Sequence, residues 1–580
     1  LTNDWLVTGA ELRRPVDSNF ELMIHDGLAF HRRVDGRFQG DKAFSATPDY
    51  VIVLEGVLLN KLELFKDESV DDVPTLLASM LKKHGVNETL KRLRGPFSGS
   101  ILDRTANTLH TFANQTGDTA AYIYKGPAPD TVVASNSFDL VMMVAGENNM
   151  ETTFDAMAAR YMLSFGYMLD ETTFTEQVKR VLPGRVSALN QRTHSRTTAT
   201  YFSLRDAPPF IGTRREAVDT IDKAFQKAVA RCFEKDLEYG YTSHLVDVSG
   251  GLDSRMVNWV ARRLGYSSLV NMCFAQPGSD ELRMALSVAK QLGNDVLVMP
   301  LDSGNYLADA EQILRLNGSA AFYAGITGGK RFLETLSFEH FGLEHTGQLG
   351  DVVLGTFSTT SAPDQPPSVG SERYSDTLEF DFQSIVSERW VHQEDYLMET
   401  RGFLGALSTH ATRKEHTYAV SPFIDVDFLN LCFSLPSGWR VKHGLYGDWV
   451  SSRYREAIEL RSTRVIPSHM SRVGRARWHA GRVRRRLQRT VRGALAQAGL
   501  VASAQSPNSM NPFDYWYATN PRIREMIDSQ LERSSQITPE IDRAVGTLVS
   551  SGRVIDKLLA ASVVTTHSLY FAPGAAAQGA

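Results

Sequence analysis

Apolar positions change period along this chain, and the change divides it. Up to about residue 190 they come in short runs suited to strands, at 50–54 leading into Glu55-Gly56, then at 97–103, 109–113, 121–124 and 132–135, with turn residues between them. Residues 73–84 have helical spacing instead, and Gly85 is expected to end that helix. Strands, a helical stretch and strands again predict an α+β sandwich for residues 1–190. Pro183-Gly184 and the polar run 190–200 approach a boundary, and Pro208-Pro209 lies in the linker before a helix at 215–233. From 210 to 460 strand and helix patterns alternate. The run Leu245-Val246-Asp247-Val248 precedes a helix with Met256, Val260 and Leu264 on one face and Val257 and Ala261 beside them. A strand at 269–274, a helix from Ser279-Asp280-Glu281 through Leu292 and a strand at 296–301 follow. This alternation predicts an α/β doubly wound parallel sheet with its ligand site at the strand C-termini. Residues 461–580 read as a helical C-terminal extension.

The string Ser249-Gly250-Gly251-Leu252-Asp253-Ser254 joins the first of those strands to its helix. Backbone N–H groups and the positive end of the helix dipole favour an anion there. Gly250 and Gly251 remove the Cβ atoms that would keep phosphate oxygens off the backbone. Ser249 and Ser254 add hydroxyl donors, and Asp253 offers a carboxylate for Mg²⁺ on the same phosphates. The loop is not of the Walker type, because the Gly-Lys-Ser/Thr ending is missing. It is similar to the pyrophosphate loop of the ATP pyrophosphatases, which cleave ATP to AMP and pyrophosphate. The plainer reading is a Gly-rich turn capped by Asp and Ser. The hexapeptide alone does not choose between amide synthetases and tRNA-modifying ligases.

At 580 residues the chain is too long for one ordinary core, which implies two or three domains. A hydrophobic content of 42% and a charged content of 22% are those of a globular protein, and a net charge of −4 selects no partner. No apolar run approaches the roughly 20 residues that span a bilayer. The opening Leu1-Thr2-Asn3-Asp4-Trp5 lacks the layout of a secretory signal, and without an initiator Met the sequence is expected to begin inside the natural chain. Cys232, Cys273 and Cys432 form neither a disulfide framework nor a metal-ligand pattern, so a cytoplasmic location is expected. Arg472, Arg475, Arg477, Arg482, Arg484, Arg485, Arg486, Arg489 and Arg492 form a basic segment without an acid. Such a run is usually a solvated helix face, and it can also meet anionic lipid or a precursor peptide. The tail 574–580 is expected to be disordered.

Four further stretches make the chain resemble the asparagine synthetase family over nearly its whole length. Phe274 with Asp280-Glu281, Ala285, Ala289 and Leu292-Gly293 is similar to the strand and helix after that family's pyrophosphate loop. Gly347-Gln348-Leu349-Gly350-Asp351-Val352-Val353-Leu354-Gly355-Thr356-Phe357 lies over its second acidic, Gly-rich motif. Ser421-Pro422-Phe423-Ile424-Asp425 with Leu435-Pro436, and Phe165-Gly166-Tyr167 with Leu182-Pro183-Gly184, match two more. The resemblance implies that ATP converts a substrate carboxylate to an acyl-adenylate, which an amine attacks to give an amide. ATP and Mg²⁺ are then the expected cofactors, with Asp253 and Asp351 as the metal carboxylates. A helix N-cap is the other reading of Asp351. Gly347 would approach the adenylate closely, and Val246 and Met272 could line the adenine, although core packing accounts for them equally well. Gln348 departs from the family's acid and cannot act as a base at neutral pH. The position matching the family's transition-state lysine falls near Gly447. Lys442 could substitute from nearby, or be a surface lysine; Arg440 is the next candidate.

The first 190 residues resemble a class II glutamine amidotransferase domain, through Leu54-Glu55-Gly56-Val57-Leu58-Leu59-Asn60, Gly95-Pro96-Phe97, Asp103 and Thr116-Gly117-Asp118. That domain is Ntn-hydrolase-like and uses an N-terminal cysteine, whereas no cysteine occurs here before Cys232. Glu55 replaces the asparagine that donates to the oxyanion, and a carboxylate would repel the developing charge. Glutaminase activity is expected to be lost. The expected function is therefore an ATP-dependent ligase without its own ammonia supply, which forms an internal amide as lasso-peptide cyclases do, or amidates a small metabolite or sugar carboxylate. The lost glutaminase favours the cyclase slightly, since the amine then lies in the substrate, with a precursor peptide and its processing protein as partners. A non-catalytic nucleotide-binding protein is the third alternative. Nucleic acid is not an expected partner, because an amidotransferase-like first half does not suit a tRNA ligase.

Overall fold

The computed structural model describes residues 4–12, 19–33, 37–127, 131–325, 330–358, 365–370, 372–459, 480, 483–484, 487, 490–496, 498, 500–501, 503–509, 511–532 and 537–572. Among the described residues twelve strands build the first part. They are β1 Trp5–Thr8, β2 Phe20–His25, β3 Leu28–Arg33, β4 Ala43–Ala46, β5 Tyr50–Gly56, β6 Phe97–Asp103, β7 Thr108–Ala113, β8 Tyr122–Tyr124, β9 Val133–Ser135, β10 Val178–Arg180, β11 Arg185–Asn190 and β12 Arg196–Thr200. They form two sheets, ordered β10-β8-β9-β1-β3-β2 and β12-β11-β7-β6-β5-β4. All their pairings are antiparallel.

Strand alternation decides what lies between and outside these sheets. Trp5, Val7, Leu28 and Phe30 of one sheet meet Val51, Val53, Leu102 and Leu109 of the other in a buried middle layer. The intervening Ile52, Leu54 and Ile101 point outward and are covered by Leu76, Leu77 and Met80 of the helix Val73–Arg92. On the far side Leu6, Tyr122 and Val133 are covered by Phe138, Val141 and Val144 of the helix Phe138–Glu147. The result is a helix–sheet–sheet–helix sandwich, as the α+β pattern predicts. Gly85 does not end its helix: it breaks the backbone at φ 73°, and the helix resumes to Arg92.

The next part is a five-stranded, all-parallel sheet with β13 Ser243–Asp247, β14 Leu269–Ala275, β15 Asp295–Pro300, β16 Phe341–His345 and β17 Ala419–Val420, in the order β15-β14-β13-β16-β17. The order reverses at β13, so the switch point of this doubly wound sheet lies where β13 gives way to the Ser249–Ser254 string. The helix Leu252–Arg263 buries Met256, Val257, Val260 and Ala261 completely. Leu264, expected on that face, lies beyond the last turn and is exposed. The long helix Arg214–Glu238 starts with a capping box between Thr213 and Glu216 and covers the sheet. Near its end the buried Asp236 ties it to the two central strands: its Oδ2 accepts from His244 of β13 and His345 of β16, both at 2.7 Å, and its Oδ1 from the Leu343 amide at 2.8 Å. The ring of Phe233 stacks on His345 at 4.0 Å.

The C-terminal part is helical, with Phe513–Thr519, Pro521–Glu532, Pro539–Ser550 and Val554–Tyr570. The last of these is almost wholly buried at Leu558–Val564 positions such as Leu559, Ala560 and Val563, and its Tyr570 ring meets Phe138 edge-on at 5.1 Å, joining the chain's end to the N-terminal sandwich. Among the described residues no helix is long and apolar enough to cross a membrane. Of the basic segment, Arg472, Arg475, Arg477, Arg482, Arg485, Arg486 and Arg489 lie outside the described residues, as does the tail 574–580.

Candidate functional site

The Ser249–Ser254 string closes on itself before it can meet anything else. Ser249 Oγ and Ser254 Oγ are 2.9 Å apart, the Ser249 amide donates to Ser254 Oγ at 3.0 Å, and the Gly251 amide donates to Ser249 Oγ at 3.1 Å. The two hydroxyls expected to face a phosphate therefore also brace the turn. The Gly250 amide donates to Glu281 Oε1 at 2.8 Å, and a Cβ at Gly250 would lie 2.8 Å from the other oxygen of that carboxylate. Behind the loop the buried Arg255 donates to the Gly250 carbonyl at 3.4 Å and to the Ala457 carbonyl at 2.6 Å. Burial lowers this guanidinium to about 10. The helix itself starts at Gly251 with no side-chain cap, and Asp253 lies in its first turn.

Against this helix start sits the loop after β16. A Cβ at Gly347 would lie 2.3 Å from the Ser254 amide nitrogen, so the close approach expected of Gly347 is made to the protein's own backbone. A Cβ at Gly350 would lie 2.7 Å from Asp253 Cγ. Asp351 is the next residue, and its Oδ2 accepts from Thr356 Oγ1 at 2.9 Å. It caps the following turn without a side-chain bond to the backbone, so the N-cap reading of its carboxylate does not hold. The Tyr446 hydroxyl donates to Asp253 Oδ1 at 2.8 Å. Burial, with Asp253 and Asp351 nearby, raises the phenol well above its ordinary range and keeps it a donor. Hard carboxylate oxygens beside a helix start suit Mg²⁺, which uses one or two carboxylates and takes its other ligands from water and phosphate.

Leu349 in this loop holds φ 65°, a conformation that costs a side-chain-bearing residue about 1–3 kcal/mol. The neighbouring turn is also unusual: Lys442 and His443 are both left-handed, at φ 53° and 58°. Gly355 makes room for that turn, since a Cβ there would strike the Arg440 carbonyl at 2.0 Å. Lys442 is exposed beside the Asp351 segment. Arg440 is not available as a substitute cation, because its guanidinium is buried against Glu394, with Nη2 2.8 Å from Oε2. His443, which sequence reasoning missed, lies with Nε2 3.5 Å from Thr356 Oγ1. Burial lowers its pKa while Asp351 opposes that shift. Gly447 is buried in the helix Gly444–Arg453.

The two expected adenine residues do not share a wall. In the parallel register Val246 pairs with Asn271 and Asp247 with Met272, so Val246 and Met272 face opposite sides of the sheet. Val246 packs with the helices, and Met272 with Leu245, Phe332 and Leu333. At the first sandwich Glu55 is only 1% exposed. It is paired with Lys42 Nζ at 2.5 Å and accepts from Tyr418, next to β17, at 2.7 Å. The position expected to repel an oxyanion is thus closed by an ion pair and a residue from the second part of the chain.

Residues 220–324 match the family model described as asparagine synthase. No curated protein matches the chain. Among solved structures, it is similar over 51% of its length to the glutamine phosphoribosylpyrophosphate amidotransferase of B. subtilis, complexed with ADP and GMP, at 10% identity and a TM-score of 0.22, covering 59% of that chain. A second structure, described as the allosteric regulatory enzyme of purine biosynthesis, is similar over 51% of this chain and 74% of its own, at 10% identity and a TM-score of 0.24.

Proposed function

The chain carries an asparagine synthase family segment at residues 220–324, and from that premise we propose that it is an ATP-dependent carbon–nitrogen ligase, which adenylates a substrate carboxylate, releases pyrophosphate and couples the acyl group to an amine. The observation that carries the reading is the packing of Gly347 and Gly350 on the start of the helix Leu252–Arg263. That packing supports Asp253 and Asp351 acting together beside the uncapped helix N-terminus. The ATP phosphates would meet that N-terminus, with Ser249, Gly250, Gly251 and Ser254 shaping the loop. Asp253 and Asp351 would hold Mg²⁺, which when bound neutralises phosphate charge. Lys442 would reach from its left-handed turn toward the α-phosphate, where charge shifts to the leaving group.

In this reading residues 1–190 form an amidotransferase-like domain without glutaminase activity, residues 210–460 the synthetase domain and residues 461–580 the extension, in a cytoplasmic protein. Intramolecular amide closure of a peptide is favoured over amidation of a small carboxylate. The Glu55–Lys42–Tyr418 arrangement supports this, because a closed glutamine site suits an amine already present in the substrate. The test offers the protein ATP, Mg²⁺ and either a peptide bearing a free amine and an acidic side chain or small carboxylates with ammonia. AMP formed in step with a peptide that has lost one water supports closure. AMP formed only with ammonia supports amidation, and ADP as the product rejects the ligase reading.

A further inference from the structure

The loop 347–351 contains the strained Leu349, and such a residue persists only where its surroundings fix the backbone. The fixing contacts converge on Gln348. Its carbonyl accepts from Ser421 Oγ at 2.9 Å, its side-chain nitrogen donates to the Ala406 carbonyl at 2.7 Å, and its Oε1 lies 2.6 Å from His410 Nε2. Because the amide nitrogen is committed to a carbonyl, the oxygen is the atom that faces His410, and Nε2 carries the donated proton. The other ring nitrogen, Nδ1, lies 3.5 Å from Asp118 Oδ2. Asp118 belongs to the N-terminal sandwich, where its Oδ1 accepts from Asn114 and from Thr116 Oγ1. His410 and Asp118 are both buried. Asp118 of the sandwich thus packs on His410, and His410 on Gln348 of the loop that carries Asp351; the His410–Asp118 step is a 3.5 Å approach without a hydrogen bond.

We propose that Asp118 and His410 are positioning residues for the nucleotide site, a buried strut through which the N-terminal sandwich holds Gln348, and hence Asp351, in place opposite Asp253. The inference rests on the ligase reading above. It gives the sandwich a task that needs no glutamine hydrolysis. Gln348 neither takes nor gives a proton at neutral pH, so the strut transmits position and not charge.

Calorimetric titration of the full chain with ATP, with and without Mg²⁺, tests this on the parent, Asp118→Asn, His410→Phe, Gln348→Ala and the His410→Phe/Gln348→Ala double variant. Each single variant is expected to bind ATP in the presence of Mg²⁺ about 10- to 100-fold more weakly, the range for residues that orient metal ligands. Binding without Mg²⁺ should not change, and the double variant should be no weaker than the worse single one, since both act through one contact. A folded Asp118→Asn that binds Mg²⁺ and ATP like the parent overturns the strut, as do additive losses in the double variant. Asp118→Asn conserves shape and keeps the test decisive if His410→Phe does not fold. A parent that binds no ATP rejects the ligase reading and the strut with it, whereas a binding parent with unaffected variants rejects the strut alone.

Discussion

Gly350 lies so close to Asp253 that a Cβ there would sit 2.7 Å from Asp253 Cγ and 2.8 Å from its Oδ1, so any side chain must displace that carboxylate. The contact fixes one proposed metal carboxylate against the loop that carries the other. Gly350→Ala must push the Asp253 carboxylate aside while leaving the sheet intact. It is expected to weaken Mg²⁺-dependent ATP binding by about tenfold or more, with little change in thermal stability. Titration with ATP and a melting curve on the same sample check both halves.

Lys442 and His443 stand side by side in left-handed backbone, next to the Asp351 segment. Strained residues of this kind gather at functional sites. If Lys442 supplies the charge opposite the leaving pyrophosphate, Lys442→Ala should bind ATP normally and adenylate about a hundredfold more slowly. Single-turnover AMP formation separates the two quantities. A normal rate makes Lys442 a surface residue and turns attention to His443.

The Glu55–Lys42 pair is enclosed, and Tyr418 closes it from the second part of the chain. Glutamine should therefore release no glutamate, whatever the amine acceptor. Glu55→Gln removes the buried charge that faces the Lys42 ammonium and the Tyr418 hydroxyl, and is expected to destabilise the protein by about 3–5 kcal/mol. Glutamate release assays and urea unfolding test these two outcomes. Steady glutamate formation would show an open site.

Much of this was legible in the sequence because it is local. The run into Ser249 and the spacing of Met256, Val257, Val260 and Ala261 define a strand, a turn and a helix without help from the rest of the chain. Faces set by neighbouring strands were not legible: only the register that pairs Val246 with Asn271 shows that Val246 and Met272 point apart. His410 and Tyr446 were equally hidden. His410 sits in the irregular stretch after Met398, which has no steady apolar period, and neither residue carries a local signal that it will meet Gln348 or Asp253.

Asp236 offers a pH test of the staple between the long helix and the central strands. Burial pushes its carboxyl upward, but His345 and His244 outweigh burial and hold it below its ordinary value. A depressed carboxylate contributes stability that is present above its unfolded value and lost as pH falls through the folded one. Asp236→Asn should therefore be less stable than the parent at neutral pH. The gap should narrow only below the ordinary carboxylate range, about pH 4. Urea midpoints of both proteins across that range give the comparison.

Asp253 and Asp351 are proposed to serve together in the cleavage of ATP between its α and β phosphates. Exchange of labelled pyrophosphate into ATP in the presence of an accepted carboxylate measures that step directly. Exchange is expected from the parent and is expected to be lost in both Asp253→Asn and Asp351→Asn. Exchange at the parent rate in both variants would contradict it.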